Sequence, residues 1–305
     1  MAAKWLIVIG GATATGKTAL AIEVAKAYNT SVVSSDSRQV FNELTIGAAK
    51  ASPEELAAVP HFLINHLSVS QEYSVGDYER DALACLDKIF SEQDVAILAG
   101  GSGLYIKAVC DGLDSFPAVS DEVRQQIEAG ELTGGLPWLQ CQLEAADPVY
   151  FAGVDRSNPA RLRRALEICW QTGKPYSSFR TGARAQRPFN MLYIMPDMPR
   201  AALYDRINQR VDRMMEAGLE EEVRSLIPFR DKPALRTVGY EELFDYFDGT
   251  ITFEQAVDKI RQHTRNYAKR QATWFRKYGN WKVFSPTDIA GVLGYIAENT
   301  GIKTT

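Results

Sequence analysis

The sequence predicts an α/β fold: an open parallel sheet with helices on both faces, interrupted by a helical insertion. Three observations predict it. Short continuous apolar runs at Trp5 to Ile9, Ser31 to Ser35 and Asp94 to Ala99 have the length of strands buried on both sides. Helical stretches separate them, and strands alternating with helices are the mark of parallel crossover units. Between Asp114 and Arg187 the strand signal disappears.

The first strand, WLIVI, leads through a Gly-rich turn into ALAIEVAKAY, which has helical periodicity. SVVSS is the second strand and ends at Asp36. Residues 76–91 read as a helix with Tyr78, Leu83, Leu86 and Phe90 on one face, and DVAILA is followed at once by Gly100, Gly101 and Gly103. Helices are expected around 120–129, 136–146 and 158–171, with GELTGGLP at 130–137 and TGKP at 172–175 as breaks, and Ser178 to Pro188 as a basic return. MLYIM at 191–195 resumes the sheet. A long helix is expected from Tyr204 to Leu226 and another from Phe253 to Tyr278, then Val283-Phe284 and a closing helix near 288–298. Thus 1–113 and 188–305 build the core, and 114–187 is the insertion.

The 305 residues suffice for one large domain or a core carrying a smaller one. With 46% apolar and 24% charged residues the chain is neither a disordered nor a membrane sequence. The N-terminal apolar run is too short for a signal or a span, so a cytoplasmic protein with no membrane association is expected. No dimer seam is evident, so a monomer is expected. The four cysteines include no Cys-x-x-Cys pair and read as reduced, mostly buried thiols. His61 and His66 are five apart, a spacing that favours packing over a shared metal. A net charge of −4 means that any nucleic-acid contact must come from local basic patches.

Gly11-Ala12-Thr13-Ala14-Thr15-Gly16-Lys17-Thr18 fits G-x-x-x-x-G-K-[ST] in full, after a buried strand and before a helix. The glycines let the backbone curl so that N–H groups face an anion, Lys17 reaches a phosphate, and Thr18 offers a hydroxyl to Mg2+. The motif specifies a nucleotide or diphosphate without saying which. Asp36, at the carboxyl end of the second strand, faces the same crevice. Position alone leaves it open as a general base, a magnesium ligand or an N-cap. Arg206 and Arg210 share a helix face. Between Lys259 and Tyr278 seven basic residues and no acidic ones interleave with Tyr267, Trp274, Phe275 and Tyr278. Arg161, Arg163 and Arg164 cluster in the insertion, with Arg124 upstream. Such groups suit phosphate contacts and stacking on unpaired bases, and equally suit a solvated helix face over a core.

The phosphate loop, Ser34 to Phe41 (SSDSRQVF), Ile46 to Lys50 (IGAAK) and Gly100 to Tyr105 (GGSGLY) follow one another as in the tRNA dimethylallyltransferases. So do Asn158-Pro159, Arg161 to Glu167, Gly173-Lys174-Pro175, Arg206 to Met214, Val238-Gly239-Tyr240 and Ala268 to Trp274. The chain resembles that family from about residue 4 to 284; the phosphate loop is generic, but this ordered combination is specific.

The resemblance implies a P-loop NTPase-like core, dimethylallyl diphosphate as donor, and as acceptor the N6 amine of the adenosine next to the tRNA anticodon. It implies Asp36 as catalytic base, Thr13, Lys17 and Thr18 on the diphosphate, and Arg206 and Arg210 beside it, against the plainer pairing of those arginines with Asp205 or Glu216. It places Asp36, Ser37, Arg38, Gln39, Ser102, Arg124, the segment Ala160, Arg161, Leu162, Arg163, Arg164 and the segment Arg236, Thr237, Val238, Gly239, Tyr240, Glu241 along the tRNA anticodon stem-loop. The chain departs from the family pattern at Ala12 for a common Pro, Phe41 for a common Tyr and Ala48 for a common Thr; the Pro-to-Ala change is expected to loosen the loop. Competing readings are a small-molecule kinase, an adenine-nucleotide isopentenyltransferase and a non-catalytic RNA-binding or nucleotide-sensing module.

Overall fold

A computed structural model describes residues 3–304. Trp5–Gly10 forms β1, followed by α1 (Lys17–Ala27), β2 (Val32–Ser34), α2 (Pro53–Ala58), β3 (His61–Phe62), α3 (Val75–Glu92), β4 (Val95–Gly100) and α4 (Gly103–Asp111). Three helices follow without a strand: α5 (Asp121–Ala146), α6 (Pro148–Gly153) and α7 (Pro159–Thr172). The chain then forms β5 (Asn190–Pro196), α8 (Arg200–Glu216), α9 (Leu219–Ser225), α10 (Tyr240–Phe247), α11 (Phe253–Lys277), β6 (Lys282–Phe284) and α12 (Ile289–Thr300).

The six strands pair in the order β3-β2-β4-β1-β5-β6, all parallel. Successive strand residues point to opposite faces, so a strand apolar throughout needs cover on both sides. In β1, Leu6 and Val8 enter one core cluster and Ile7 and Ile9 the other. In β4, Ala96 and Leu98 face the first, while Val95, Ile97 and Ala99 face the second. Residues of α3, α4, α10 and α11 fill the first cluster; α1 and α12 fill the second.

Two compact units result. One runs to Cys110 and resumes at Gln186; the other is Asp111–Ala185. The second has its own core, with Ile127, Leu139, Leu143, Leu162 and Leu166 fully buried. Its carboxylate Asp147 is also fully buried, and accepts the N–H groups of Tyr150 at 2.9 Å and Ser177 at 2.6 Å. Among the described residues no helix is long and apolar enough to cross a membrane.

Two expectations are corrected. The long helix at 204–226 is two helices, because Gly218 adopts φ 96°, a left-handed conformation that ends α8 and starts α9. The break expected at 130–137 shrinks to Gly135, at φ 62°, and helix continues on either side. Gly130 and Gly134 are helical, and Trp138 lies against both in the space a side chain would need.

Ile97 is fully buried on the central β4. Ile97→Ala should lower the stability of the unit carrying the sheet by about 2–5 kcal/mol, read from the urea midpoint at unchanged m.

Candidate active site

Everything in the site hangs from the carboxyl ends of β1, β2 and β4. Beyond β1 the loop curls through Gly11 at φ 145° and Gly16 at φ 93°. Ala14 also takes a left-handed φ of 65°, which costs a non-glycine residue about 1–2 kcal/mol. Its methyl is buried with Ala12, Leu203, Ile207 and Ala268, an apolar contact that offsets the strain. The Ala12 carbonyl accepts the Thr15 hydroxyl at 2.8 Å and the Lys17 ammonium at 2.6 Å. From α11, the buried Gln271 accepts the Thr13 N–H at 2.8 Å and donates to the Gly101 carbonyl at 2.9 Å.

Positive charge is concentrated here at a cost. Arg210 of α8 donates to the Thr13 hydroxyl at 3.1 Å. Burial, then the charges of Arg206 and Arg213, lowers its pKa; Asp36 and Glu55 pull the other way. The Lys17 pKa falls to about 7, through burial first and Arg210 second, against Asp36. Desolvated cations that repel each other are relieved by an anion placed between them.

Asp36 follows β2. Its Oδ1 accepts the N–H of Arg38 at 2.9 Å and of Gln39 at 3.4 Å, a local turn that fixes the carboxylate. Ser102, opening α4, accepts the Ser37 N–H at 2.9 Å and donates its own N–H to the Ser35 carbonyl. The glycines of the GGSG stretch serve packing: side chains at Gly100, Gly101 and Gly103 would run into Ser35, Gln271 and Trp274 respectively.

Two cavities meet at these groups. The first is lined by Thr13, Ala14, Gly16, Lys17, Thr18, Arg206 and Arg210, and reaches Glu55 and His61. The His61 ring, bonded through Nδ1 to the Val59 carbonyl, has its pKa lowered by burial. The second cavity carries Arg38, Arg236 and Arg270 beside apolar Met214, Leu219, Val238 and Ile260, and includes Ser37, Thr237, Gly239 and Glu241. Thr13, Asp36, Ala48, Ala49 and Arg210 line both.

Other expected positions fall elsewhere. Ala12 and Thr15 are buried and shape the loop from within. Gln39 joins the Ser34 hydroxyl to the Ala48 and Ala49 carbonyls. Tyr240 is fully buried, its hydroxyl donating to Glu222. Phe41 is a core residue, and Ala48 contributes its carbonyl. In the helical unit, Leu162 is core, Ala160 and Arg161 are exposed, Arg163 forms a bidentate pair with Glu131 at 2.7 Å, Arg164 pairs with Glu167, and Arg124 pairs with Asp121.

Around the C-terminal helix most of the aromatics follow the core alternative. Trp274, Phe275 and Tyr278 pack with one another and with Trp281 in the core, where Trp281 and Phe275 fill the space above Gly10. Tyr267 lines the second cavity, its phenol pushed up to about 12 by burial and then by Asp36. Arg261 is held by Asp212 and Asp258.

Sequence reading assigned no role to Gln271 or Glu222. The signal for Gln271 was a lone amide on the stripe Ala268, Gln271, Phe275, all three buried on α11.

The IPP transferase family model matches residues 39–278. The chain belongs to that family. Among IPP transferases it is similar to the tRNA dimethylallyltransferase of Cytophaga hutchinsonii, with 45% identity over 293 residues and 96% of each chain covered. It is 36% identical to the tRNA isopentenylpyrophosphate transferase of Bacillus halodurans, whose crystal structure superposes with a TM-score of 0.73 over 98% of this chain and 97% of that one. A eukaryotic dimethylallyltransferase acting on tRNA shares the fold at 22% identity, with a TM-score of 0.83 over 99% of this chain and 81% of that one.

With a pKa of about 7, the Lys17 amine is mostly neutral at pH 8. An anion favours its protonated form, so pyrophosphate binding should take up a proton at Lys17 and weaken as pH rises above 7. In Lys17→Arg, which stays charged throughout, that contribution should vanish. Calorimetry in buffers of different ionisation heat reads the difference between the two proteins.

Proposed function

We propose that the chain transfers the dimethylallyl group of dimethylallyl diphosphate to N6 of the adenosine next to the anticodon in tRNA. The observation that carries this reading is the junction of two unlike cavities at Thr13, Asp36 and Arg210. One is built for a polyanion. The other, with apolar side chains beside arginines, suits a purine whose neighbouring phosphates remain outside. The named activity of the Cytophaga hutchinsonii relative supports the same donor and acceptor.

As the allylic C–O bond breaks, negative charge grows on the departing diphosphate. Lys17 and Arg210, fixed and poorly solvated, stabilise that charge more than they stabilise the intact donor. Thr13, held by Gln271 and Arg210, orients the phosphates at the junction. Magnesium fits here as an ion that would arrive with the diphosphate, held by the Thr18 hydroxyl, which lines the first cavity beside Lys17. When bound, it would neutralise phosphate charge.

The adenine amine is a weak nucleophile because its lone pair is delocalised into the ring. It becomes acidic as the C–N bond forms, and Asp36 accepts the proton. A loop adenine costs less to extrude than a paired one, which suits an acceptor from an anticodon loop. Arg38, Arg236 and Arg270 at the second cavity, with Arg124, Arg161, Arg163 and Arg164 of the helical unit, are proposed as backbone contacts, the protein acting as a monomer.

Labelled dimethylallyl diphosphate offered with bulk tRNA, AMP, ADP or ATP should mark tRNA alone; labelled AMP would move the reading to a nucleotide isopentenyltransferase. Asp36→Asn should retain donor and RNA binding and lower turnover about 10²–10⁴-fold; unchanged turnover would remove Asp36 from the mechanism. RNA affinity should fall with added salt, at a log–log slope of about −0.7 to −0.9 per phosphate neutralised. A flat response would exclude such contacts.

A further inference from the structure

The turn at 45–49 walls both cavities through Ala48 and Ala49. It is a tight piece of backbone, with Ala49 at a left-handed φ of 47° and an Ala49 N–H to Ile46 carbonyl bond of 2.9 Å. Its outer grip is one side chain, Glu222 of α9. Glu222 Oε2 accepts the N–H groups of Thr45 at 3.1 Å and Ile46 at 2.7 Å; Oε1 accepts the Gly47 N–H at 3.0 Å and the Tyr240 hydroxyl at 2.6 Å. From the cavity side, Gln39 donates to the Ala48 and Ala49 carbonyls, and its own N–H reaches Asp36.

Tyr240 carries the grip to the opposite wall. It opens α10 directly after Arg236 to Gly239, which line the second cavity, and the Arg236 carbonyl accepts the Arg38 guanidinium at 3.2 Å. Gly47 permits the approach, since any side chain there would overlap the Tyr240 ring. One carboxylate thus ties together two segments 190 or so residues apart in the chain, both facing the place where acceptor meets Asp36.

We propose that Glu222 is a positioning residue: it sets the spacing between the 45–49 turn and the 236–240 segment, so that a purine fits against Asp36 and water does not. This rests on the transfer reaction proposed above. An amide at 222 keeps one acceptor oxygen and turns an NH2 toward groups that are themselves donors, so part of the four-bond grip is lost. With the spacing relaxed, water competes at the junction. The allylic C–O bond then breaks, the water oxygen bonds to that carbon, its proton passes to solvent or diphosphate, and the products are dimethylallyl alcohol and pyrophosphate.

The test compares parent, Glu222→Gln and Tyr240→Phe, with Glu220→Gln as a control because Glu220 pairs with Arg224 on the surface of α9. Labelled dimethylallyl diphosphate and an anticodon stem-loop RNA are supplied, and prenylated RNA, dimethylallyl alcohol and pyrophosphate affinity are measured. For Glu222→Gln, kcat/KM for RNA should fall about 10-fold or more, mainly through KM, as expected for lost bonds to a charged group. The alcohol-to-RNA product ratio should rise, while pyrophosphate affinity stays within about 2-fold of the parent, a change worth under half a kcal/mol and too small to signal a damaged phosphate loop. Tyr240→Phe, which removes one donor only, should move the same way by less, and decides the matter if Glu222→Gln does not fold. An unchanged product ratio, or a loss of pyrophosphate affinity parallel to the loss for RNA, would overturn the proposal. A parent that binds donor but modifies no RNA would instead overturn the transfer reading.

Discussion

The constraint on which the rest of the structure depends is the mutual repulsion of Lys17 and Arg210 in a poorly solvated place. Burial and then the Arg210 charge lower the proton affinity of Lys17, burial and then Arg206 and Arg213 lower that of Arg210, and Asp36 opposes both shifts without cancelling them. Such an arrangement persists only if the surrounding fold holds it. The sheet fixes the loop's starting point, α8 presents Arg210 through buried Leu203, Ile207 and Val211, and Thr13 is gripped from both α8 and α11. Concentrating these cations costs stability that an anion placed among them would restore.

The carboxylate side of the site is built differently. Asp36 is set by its own local turn, and Ser37 by Ser102. Thus the phosphate-loop side is braced by long-range contacts, while the Asp36 side is braced by near neighbours in sequence and by Ser102 beyond β4. Thr13 and Arg210 line both cavities, so the bracing of the phosphate loop also fixes the place where the two cavities meet.

Much of this was legible beforehand because the signals were local. Three apolar runs gave the central strands, the GxxxxGK[ST] pattern gave the loop, and a carboxylate at a strand end gave Asp36. What was missed depends on pairs far apart in the chain. Glu222 reads as one of three acids in the first turn of α9, a common helix-start composition, and only the fold shows its carboxylate collecting backbone donors from residues 45–47. The aromatics of α11 suited stacking platforms and core packing equally well in sequence, and only the fold shows Phe275 packed over Gly10 and Trp274 over Gly103. Gly218 lies in a pattern whose periodicity is helical on both sides, so periodicity alone could not place the break.

The bond between Thr13 and Gln271 spans 258 residues of chain. During synthesis the N-terminal loop therefore emerges from the ribosome long before the helix that restrains it. A nascent chain carries the complete loop motif yet lacks its brace until Gln271 has been made. Bracing of the phosphate loop is in this way delayed until α11 has been made, and a product terminated before α11 retains the signature residues without the contacts that hold them.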